Sequence, residues 1–492
     1  MILGIDLGTT VVKAGLWGPD GMVGLGRCAL ATSRPAPDRV EQDASSWWAA
    51  VVAATRQACG RGEGAGRAVA GVTGQRVEAI GFCTARQTFV PVDANLRPLG
   101  PALVWSDRRA GRQAAHLAER LGGPGAAWER TGVNLDGAAV AAKIAWLGEN
   151  EPEPLRGARW LLGPRDLVAG RMTGRVVTDE TVASRSGLYD RAGSVVTALA
   201  GPDPGRLPPV VAPGALVGSL LPEPAAELGL APGVPVVAGA GDRACEVLGT
   251  GGGPDRPMVS WGTTANLSVP GTGRGVVPPG LVLSRAAVTV GAAGHLIEAG
   301  LSGAGSVLDW LAALTSTSVE VLARDAGRIA PGADGALAVP WFDGARAPWW
   351  RAEAGGAFLG LSAAHTPAHL ARAVFEGVAT DVARVIEVVV GAGAAPPPTE
   401  LYLCGGGAAR RPWPEILAAV TGVPVTRRRS PEAGSAGAAL IAGEACGIPL
   451  ALETMNPVTS TEAPDPEARA VYSARRGDAE QAAQAVLGLL PE

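Results

Sequence analysis

Apolar and polar positions along the chain follow two periods in turn, one typical of strands and one of helices. Short apolar runs over residues 2–7, 11–17 and 22–31, separated by turn residues, predict a three-stranded meander at the amino terminus. Behind Asp43, apolar residues recur at helical spacing from Trp47 to Ala54 and predict a helix. The same alternation continues along the chain. It predicts an α/β protein.

Further buried strands are predicted at residues 77–83, 88–92, 215–220, 234–239, 258–261 and 400–404. Thr366 with Pro367 predicts a helix start, because Thr caps a helix and Pro suits its first position. The chain is rich in Pro and Gly over 202–235 and polar after about residue 450, with a short final helix near 480–489. We therefore expect an N-terminal domain over 1–240, a C-terminal domain over 241–450 and an extension over 451–492.

Composition narrows the class of protein. At 492 residues the chain is too long for one core. Its 42 basic and 46 acidic residues are interspersed, which argues against a nucleic-acid partner. No apolar run approaches the roughly 18 residues of a membrane helix, and the amino terminus has no pattern of a secretory signal. Six cysteines without Cys-x-x-Cys spacing favour reduced thiols, so we expect a cytoplasmic protein.

The tripeptide Gly-Thr-Thr follows a short apolar strand twice, as Gly8, Thr9 and Thr10 and, half the chain later, as Gly262, Thr263 and Thr264. Such turns offer backbone N–H groups and hydroxyl donors to an anion, and two of them could hold one polyphosphate. Asp6 directly precedes the first turn, where a carboxylate repels phosphate unless a divalent cation lies between them. Two ordinary hairpin turns are the alternative. The matched pair with one preceding Asp favours a nucleotide with Mg²⁺, bound through Asp6.

Lysine is rare in this chain and occurs only at Lys13 and Lys143. Lys13 lies in the strand after the first turn, where an ammonium could reach the same phosphates. Lys143 lies in the apolar stretch 140–147, and we expect it to be a structural or a surface-pairing residue.

Two further glycine clusters lie where strands meet helices in the second half. Gly239 to Ala244 matches the loose dinucleotide pattern Gly-x-Gly-x-x-Ala, which leaves an oxidoreductase open, although no acidic residue follows at the spacing that would hold a ribose. Within it Asp242 is a candidate general base, or simply the cap of the next helix. The second cluster is Gly405, Gly406, Gly407 and Ala408, where adenosine could pack on the backbone. A tight turn would look the same.

These motifs together resemble the FGGY family of carbohydrate kinases from Met1 to about residue 445. The first turn with Lys13 resembles the family's first phosphate hairpin, the second turn its second hairpin, and 405–408 its adenosine loop. The segment from Trp105 to Arg109 resembles its Trp-x-Asp-x-Arg element, and Asp242 lies where the family has its catalytic Asp. Residues 356–376 fit the family's second signature throughout, whereas the first signature fits only from Lys143 onward. The resemblance implies two actin-like (ribonuclease H-like) domains of the hexokinase/actin ATPase type, with a cleft between lobes.

The resemblance also implies transfer of the γ-phosphate of ATP, with Mg²⁺, to a primary hydroxyl of a small sugar, most simply a pentulose such as xylulose, or a related polyol. After the strand 80–83, xylulokinases carry Gln-Met-His and glycerol kinases Gln-Arg-Glu, but this chain has Ala85, Arg86 and Gln87. Arg243 replaces the Asn or Gln that usually follows the catalytic Asp, where it could either bind the acceptor or tune Asp242. We expect the acceptor to contact Arg86, Gln87, Trp105, Asp107, Asp242 and Arg243.

Three classes of function stay open from the sequence. The first is the ATP-dependent sugar kinase, the second an actin-like or chaperone-like ATPase module without a sugar site, and the third a nicotinamide enzyme. The sequence does not decide which sugar is the acceptor or whether the chain forms a homodimer.

Overall fold

The computed structural model describes residues 1–60, 76–201, 203–271, 277–278, 280–286, 294–351 and 353–489, without the side chain of Ser302. The strands are β1 Ile2–Leu7, β2 Val11–Gly18, β3 Gly21–Ala29, β4 Ser33–Ala36, β5 Arg39–Gln42, β6 Ala79–Thr84, β7 Val90–Val92, β8 Ala102–Leu103, β9 Trp160–Leu162, β10 Thr178–Asp179, β11 Val210–Val211, β12 Leu216–Ser219, β13 Pro235–Val237, β14 Ala240–Gly241, β15 Met258–Trp261, β16 Thr264–Gly271, β17 Val282–Arg285, β18 His295–Gly303, β19 Leu337–Val339, β20 Ala357–Leu359, β21 Leu401–Cys404, β22 Val425–Arg428 and β23 Val458–Glu462.

The α-helices are α1 Ser45–Ala58, α2 Gly111–Arg120, α3 Pro124–Thr131, α4 Val140–Asn150, α5 Pro152–Gly157, α6 Pro164–Thr173, α7 Glu180–Ala183, α8 Pro222–Leu228, α9 Asp242–Thr250, α10 Gly305–Leu314, α11 Val319–Ala326, α12 Pro367–Gly391, α13 Trp413–Thr421, α14 Ala433–Ala445, α15 Leu452–Met455, α16 Pro466–Ala474 and α17 Arg476–Gly488. Short 3₁₀ turns occur at Pro204–Arg206 and Ala333–Gly335. Among the described residues, no helix is both long and apolar enough to cross a bilayer.

The chain folds into two compact units. Unit 1 contains Met1–Gly249, Leu283–Gly294 and Glu432–Pro457, and unit 2 contains Thr250–Val282, His295–Pro431 and Val458–Glu492. Each unit is thus built from three segments that are separated in sequence by segments of the other unit. The domain limits expected at residues 240 and 450 stay a prediction.

A mixed sheet forms the centre of unit 1, with the strand order β12–β13–β6–β1–β2–β3 and β14 beside β6. The predicted meander is confirmed, since β2 pairs antiparallel with both β1 and β3. Strand β1 runs parallel to β6, and in this register Asp6 lies beside Lys13 on one neighbour and Cys83 on the other. The sheet therefore places the acidic residue before the first turn next to a lysine and a thiol.

Helix α14 packs directly against this sheet at positions where strand glycines meet its backbone. A Cβ at Gly4 would lie 2.1 Å from the carbonyl oxygen of Ser435, and one at Gly81 would lie 2.2 Å from that of Ala438. Glycine is the residue that allows such backbone contact. The small residues of α14 and of the strands thus bring the segment beginning at Glu432 close to the end of β1.

A second mixed sheet forms the centre of unit 2, where β18, β16, β15, β21, β22 and β23 are neighbours in this order. Strands β15 and β16 form an antiparallel hairpin, and β21 runs parallel to β15. The buried indole of Trp261, at the end of β15, lies between Phe375 of α12 and Trp413 of α13, with ring centroids 5.7 and 4.0 Å away. This aromatic packing fixes the end of β15, where the second Gly-Thr-Thr turn begins.

The carboxyl-terminal extension is more ordered than the sequence predicts. Strand β23 pairs antiparallel with β22, and the single short helix expected near 480–489 is part of α17, which follows α16. The strand sequence Val-Thr-Ser-Thr-Glu carries one apolar residue, and that residue is exposed. Strand β23 forms through backbone hydrogen bonds at the edge of the sheet. A pattern of alternating apolar residues therefore could not predict it.

Candidate active site

The first Gly-Thr-Thr turn joins β1 to β2 in unit 1. A Cβ at Gly8 would lie 2.7 Å from the carbonyl oxygen of Val11, so the turn needs glycine there. The Thr9 hydroxyl accepts a 2.9 Å hydrogen bond from the Trp105 indole N–H, and Thr10 is exposed. A hydroxyl that accepts one hydrogen bond keeps its own hydrogen for another acceptor. Thr9 can therefore donate to an anion while Trp105 orients it.

Lys13 lies near two carboxylates, that of Asp6 on the neighbouring strand and that of Glu432. Its Nζ lies 2.8 Å from Glu432 Oε2, and Arg27 Nη2 lies 2.5 Å from the other oxygen of Glu432. Burial works to lower the pKa of Lys13, but Asp6 and Glu432 raise it above its ordinary value. Burial raises the pKa of Asp6 to about 6, although Lys13 acts in the opposite direction. Lys13 is thus a charged ammonium next to a carboxylate that is desolvated.

Three residues of this cluster were not found from the sequence: Glu432, Gly434 and Glu246, whose charge acts to raise the pKa of Asp6. A Cβ at Gly434 would lie 2.9 Å from Cys83 Sγ and 3.2 Å from Asp6 Oδ2, so the start of α14 packs against the Asp6 carboxylate. The available signal was the run of small residues after Glu432. Such a run predicts close packing but does not identify the partner.

Asp242 is the first residue of α9 and follows β14, which pairs with the end of β6. Its Oδ1 accepts two 2.8 Å hydrogen bonds, from Arg86 Nε and from the backbone N–H of Arg243. The Arg86 side chain is only 8% exposed, whereas that of Asp242 is 32% exposed. The side chain of Arg243 bonds Glu246 Oε2 at 2.6 Å. The carboxylate of Asp242 is therefore oriented by Arg86 and still reaches solvent.

The glycines before Asp242 have explanations within the chain. A Cβ at Gly239 would lie 1.9 Å from the Phe82 carbonyl oxygen, and one at Gly241 would lie 2.3 Å from Arg86 Cδ. Close packing on β6 and Arg86 thus accounts for the string that matched a dinucleotide fingerprint. No pyrophosphate is needed to explain it.

Gln87 has φ of 58°, which is uncommon for a residue with a side chain. Its Oε1 accepts a 3.0 Å hydrogen bond from Arg185 Nη2, and its carbonyl oxygen accepts one from Lys143. Lys143 also bonds the Val104 carbonyl oxygen, next to Trp105. Lys143 is buried, so of the two expected roles the structural one is correct and surface pairing is wrong.

Asp107 is fully buried, unlike Trp105. Its Oδ2 accepts from the backbone N–H of Val40 and from Arg109 Nη2, both at 2.7 Å, and Arg109 also bonds Glu41 at 2.6 Å. The Asp107 carboxylate is bonded by groups of the protein itself and stabilises the turn that follows Trp105. Its expected contact with an acceptor stays a prediction.

The second Gly-Thr-Thr turn, in unit 2, lies against the amino end of α10. The carbonyl oxygen of Thr263 accepts hydrogen bonds from Ala304 and Ser306, and that of Gly262 accepts one from Gly305. Gly262 and Thr263 are exposed and Thr264 is half-buried. The turn is held through its carbonyl groups, which leaves the exposed side chain of Thr263 at the surface.

The glycine loop 405–408 follows β21 in the same unit and lies beside the second turn. The Gly407 N–H donates to the Trp261 carbonyl oxygen, and a Cβ at Gly407 would lie 2.0 Å from the Trp261 ring. Gly405 also packs on Trp261 with φ of 93°, while Ala408 is buried. Gly406 is exposed, and a Cβ there would meet nothing within 4 Å. Only Gly406 is therefore unexplained by packing.

Unit 1 contains Asp6, Gly8, Thr9, Thr10, Lys13, Arg86, Gln87, Trp105, Asp107, Asp242 and Arg243, and unit 2 contains Gly262, Thr263, Thr264, Gly405, Gly406, Gly407 and Ala408. Within unit 1 the structure joins Asp6 to Lys13, Thr9 to Trp105 and Arg86 to Asp242. Over the described part of the chain, no three His, Cys, Asp or Glu side chains converge as a set of metal ligands.

The chain is similar to known proteins over its full length. Residues 1–249 match the N-terminal domain of the FGGY family of carbohydrate kinases, and residues 258–446 match its C-terminal domain. The chain is 32% identical to a xylulose kinase of Escherichia coli over 501 aligned positions, covering 100% of both chains. It is also 32% identical to a glycerol kinase of Trichlorobacter lovleyi, covering 91% of this chain and 90% of that one.

A solved structure has the same fold. The xylulose kinase of Rhodospirillum rubrum is 28% identical to this chain and superposes with a TM-score of 0.86 over 99% of each chain. The two-domain α/β fold expected from the sequence is confirmed.

Proposed function

Because the chain belongs to the FGGY family of carbohydrate kinases, we propose that it transfers the γ-phosphate of ATP to a primary hydroxyl of a pentulose such as xylulose, with a related polyol as the wider class. Sugar phosphotransfer by an ATP-dependent kinase is the activity of the family. The observation that carries the proposal for this chain is the Asp242 carboxylate, oriented at 2.8 Å by Arg86 and open to solvent. The ATPase module and the nicotinamide enzyme have no comparable support.

Asp242 acts as the general base in this proposal. A hydroxyl attacks phosphorus poorly until its proton has an acceptor. A carboxylate within reach takes that proton as the new P–O bond forms and the bond from the γ-phosphorus to the bridging oxygen of ADP breaks, so that ADP leaves. Arg86 and the backbone N–H of Arg243 both bond Oδ1, which fixes the plane of the carboxylate. The orientation of the base therefore exists before the substrate binds.

Gln87, Trp105 and Arg243 supply the other acceptor contacts in this proposal. Gln87 offers an amide donor while Arg185 holds its oxygen, and such groups suit a neutral polyol or ketose. The indole of Trp105 offers an apolar face for a sugar carbon chain. Asp107 contributes by holding the turn that follows Trp105.

Thr9, Thr10 and Lys13 bind phosphate oxygens in this proposal, as do Thr263 and Thr264 in unit 2. Asp6 fits Mg²⁺, because this cation takes one or two carboxylates and completes its shell with water and substrate phosphate. Bound there, the cation would neutralise charge on the phosphates of ATP. Gly406 is the proposed contact for adenosine, since the loop leaves open space above it.

The six cysteines are free thiols, which supports a cytoplasmic location as part of the proposal. A homodimer stays a prediction that light scattering of the purified protein tests.

A coupled assay of ATP consumption over pentuloses, tetritols, hexuloses and glycerol tests the proposed acceptor. We expect the highest kcat/KM with a pentulose, and we expect Asp242→Asn to abolish most of that turnover without unfolding. A clear preference for glycerol would contradict the pentulose. Steady ATP hydrolysis without phosphorylation of any acceptor would instead support an ATPase module.

A further inference from the structure

Lys143 has an unusual environment for a lysine. It lies on α4, has no exposed surface, and donates hydrogen bonds from Nζ to the carbonyl oxygens of Gln87 at 3.0 Å and Val104 at 2.6 Å. Buried lysines are rare because transfer of an ammonium from water is costly. One side chain therefore joins two loops, one after β6 and one after β8, by their backbones.

Both loops carry the side chains proposed to contact the acceptor. Arg86, directly before Gln87, orients Asp242, and Trp105, directly after Val104, donates to Thr9. The loops are also joined to each other, since the Trp105 N–H donates to Thr88 Oγ1 at 3.1 Å. Displacement of either carbonyl group would move the groups that bind the acceptor.

The backbone of Gln87 needs external support. A residue with a side chain seldom adopts φ of 58°, and strained conformations of this kind persist where neighbouring groups hold them. Lys143 holds the carbonyl oxygen and Arg185 holds the side-chain oxygen. Lys143 and Arg185 thus fix Gln87 from opposite ends of the residue.

We propose that Lys143 is a positioning residue for acceptor binding, which fixes the loops at Gln87 and Val104 so that Arg86, Gln87 and Trp105 face the sugar. This inference rests on the proposed function, because it takes the acceptor contacts from it. It assigns Lys143 no contact with substrate and no step in phosphate transfer.

The hydrogen bonds of Lys143 do not depend on its charge. Burial lowers the pKa of Lys143 to about 7, with Asp107 and Asp136 raising it and Arg108 and Arg109 lowering it further. An ammonium has three N–H donors and a neutral amine has two. Either form can bond both carbonyl oxygens, so the positioning holds on both sides of neutral pH.

The experiment compares Lys143→Met with Ile144→Ala in the full-length protein. Methionine matches the length of the lysine stem without its donors, whereas Ile144, 4% exposed on the same helix, has no part in the two hydrogen bonds. The first measurement needs no acceptor: hydrogen exchange of peptides covering 85–88 and 103–106. We expect at least about tenfold faster exchange in Lys143→Met, because buried carbonyl groups lose their donor. We expect wild-type rates in Ile144→Ala after matching for global stability.

The second measurement is steady-state kinetics with xylulose and ATP. For Lys143→Met we expect xylulose kcat/KM to fall by about 10- to 100-fold, the usual cost of a small misplacement. The KM for ATP should change far less than the KM for xylulose, because the loops that Lys143 joins carry the proposed acceptor contacts. Equal loss in both variants, or wild-type xylulose kinetics and exchange in Lys143→Met, would overturn the inference.

Failure of the proposed function has a different signature. If the wild-type protein phosphorylates no pentulose, the proposed acceptor is wrong, and the same comparison is made with the acceptor that the screen finds. If the wild type is active and Lys143→Met retains its acceptor kcat/KM, only the positioning role is wrong.

Discussion

Arg86 Nε donates a 2.8 Å hydrogen bond to Asp242 Oδ1, although 155 residues separate the two in the chain and only Arg86 is buried. The sequence predicts each of these residues as an acceptor contact, but the ion pair makes their roles dependent on each other. Removal of the guanidinium changes the surroundings of the proposed base as well as the acceptor site.

Asp242→Asn should lower kcat by about 10² to 10⁴, the usual range for loss of a general base. Asn keeps the shape and the oxygen that accepts from Arg86 and Arg243, so acceptor Kd should change by less than about threefold. The measurement is kcat together with acceptor Kd. A loss of less than tenfold would return Asp242 to a structural role, since Asn and Asp cap helices about equally well.

Arg86→Ala should raise the KM for the acceptor far more than the KM for ATP and should also lower kcat, because Asp242 loses its orienting donor. In a double-mutant cycle with Asp242→Asn we expect about 0.5 to 3 kcal/mol of coupling in kcat/KM, as for other contacting residues. Strict additivity would show that the pair does not act as a unit. Lost thermal stability with an unchanged acceptor KM would indicate an ion pair without a role in binding.

Gly434→Ala should disturb the proposed Mg²⁺ site, because its Cβ would lie 3.2 Å from Asp6 Oδ2 and 2.9 Å from Cys83 Sγ. Overpacking typically costs about 1 to 3 kcal/mol. The added methyl group should displace the Asp6 carboxylate and weaken Mg²⁺ binding by this free energy. We therefore expect the Mg²⁺ concentration for half-maximal activity to rise by about 5- to 150-fold. Gly477→Ala is the matched control, since Gly477 is likewise the second residue of its helix and has nothing within 4 Å of an added Cβ. Equal Mg²⁺ dependence in both variants would argue against Asp6 as a ligand.

The glycine loop allows packing and ligand contact to be separated. Gly407→Ala should lower the free energy of unfolding by about 1 to 3 kcal/mol, because its Cβ would overlap the Trp261 ring. Gly406→Val should leave the melting temperature unchanged, since its surroundings are open, but raise the KM for ATP by about tenfold if adenosine lies there. An unchanged KM for ATP in Gly406→Val would remove Gly406 from the nucleotide site.

Lys143 should make the free energy of unfolding increase with pH above neutrality. Its pKa is lowered from 10.5 to about 7 by burial, so between these values the unfolded chain binds a proton that the folded protein has released. Stability relative to Lys143→Met should therefore rise by about 2 kcal/mol from pH 7 to pH 9. Urea titrations of both proteins at several pH values measure this difference. A constant difference would show that the lysine keeps its charge throughout this range.

Features that depend on local chemistry can be predicted from the sequence. The meander, the two Gly-Thr-Thr turns, the start of α12 at Pro367 and the order of motifs that resembles a family all follow from turn residues, caps and apolar period. The sequence also shows glycines at positions 4 and 81. It does not show why glycine is needed there, because the reason is close contact with the backbone of α14.

Which groups come into contact depends on how whole helices and strands pack. Glu432 reaches Lys13 only because α14 returns to unit 1 and packs on glycines of β1 and β6. Strand β23 forms because the edge of β22 offers it hydrogen bonds, and Asp107 is buried because Arg109 and the Val40 N–H satisfy it. Contacts between residues far apart in the chain depend on the packing of whole helices and strands. A local sequence pattern does not identify the distant residue that each side chain will contact.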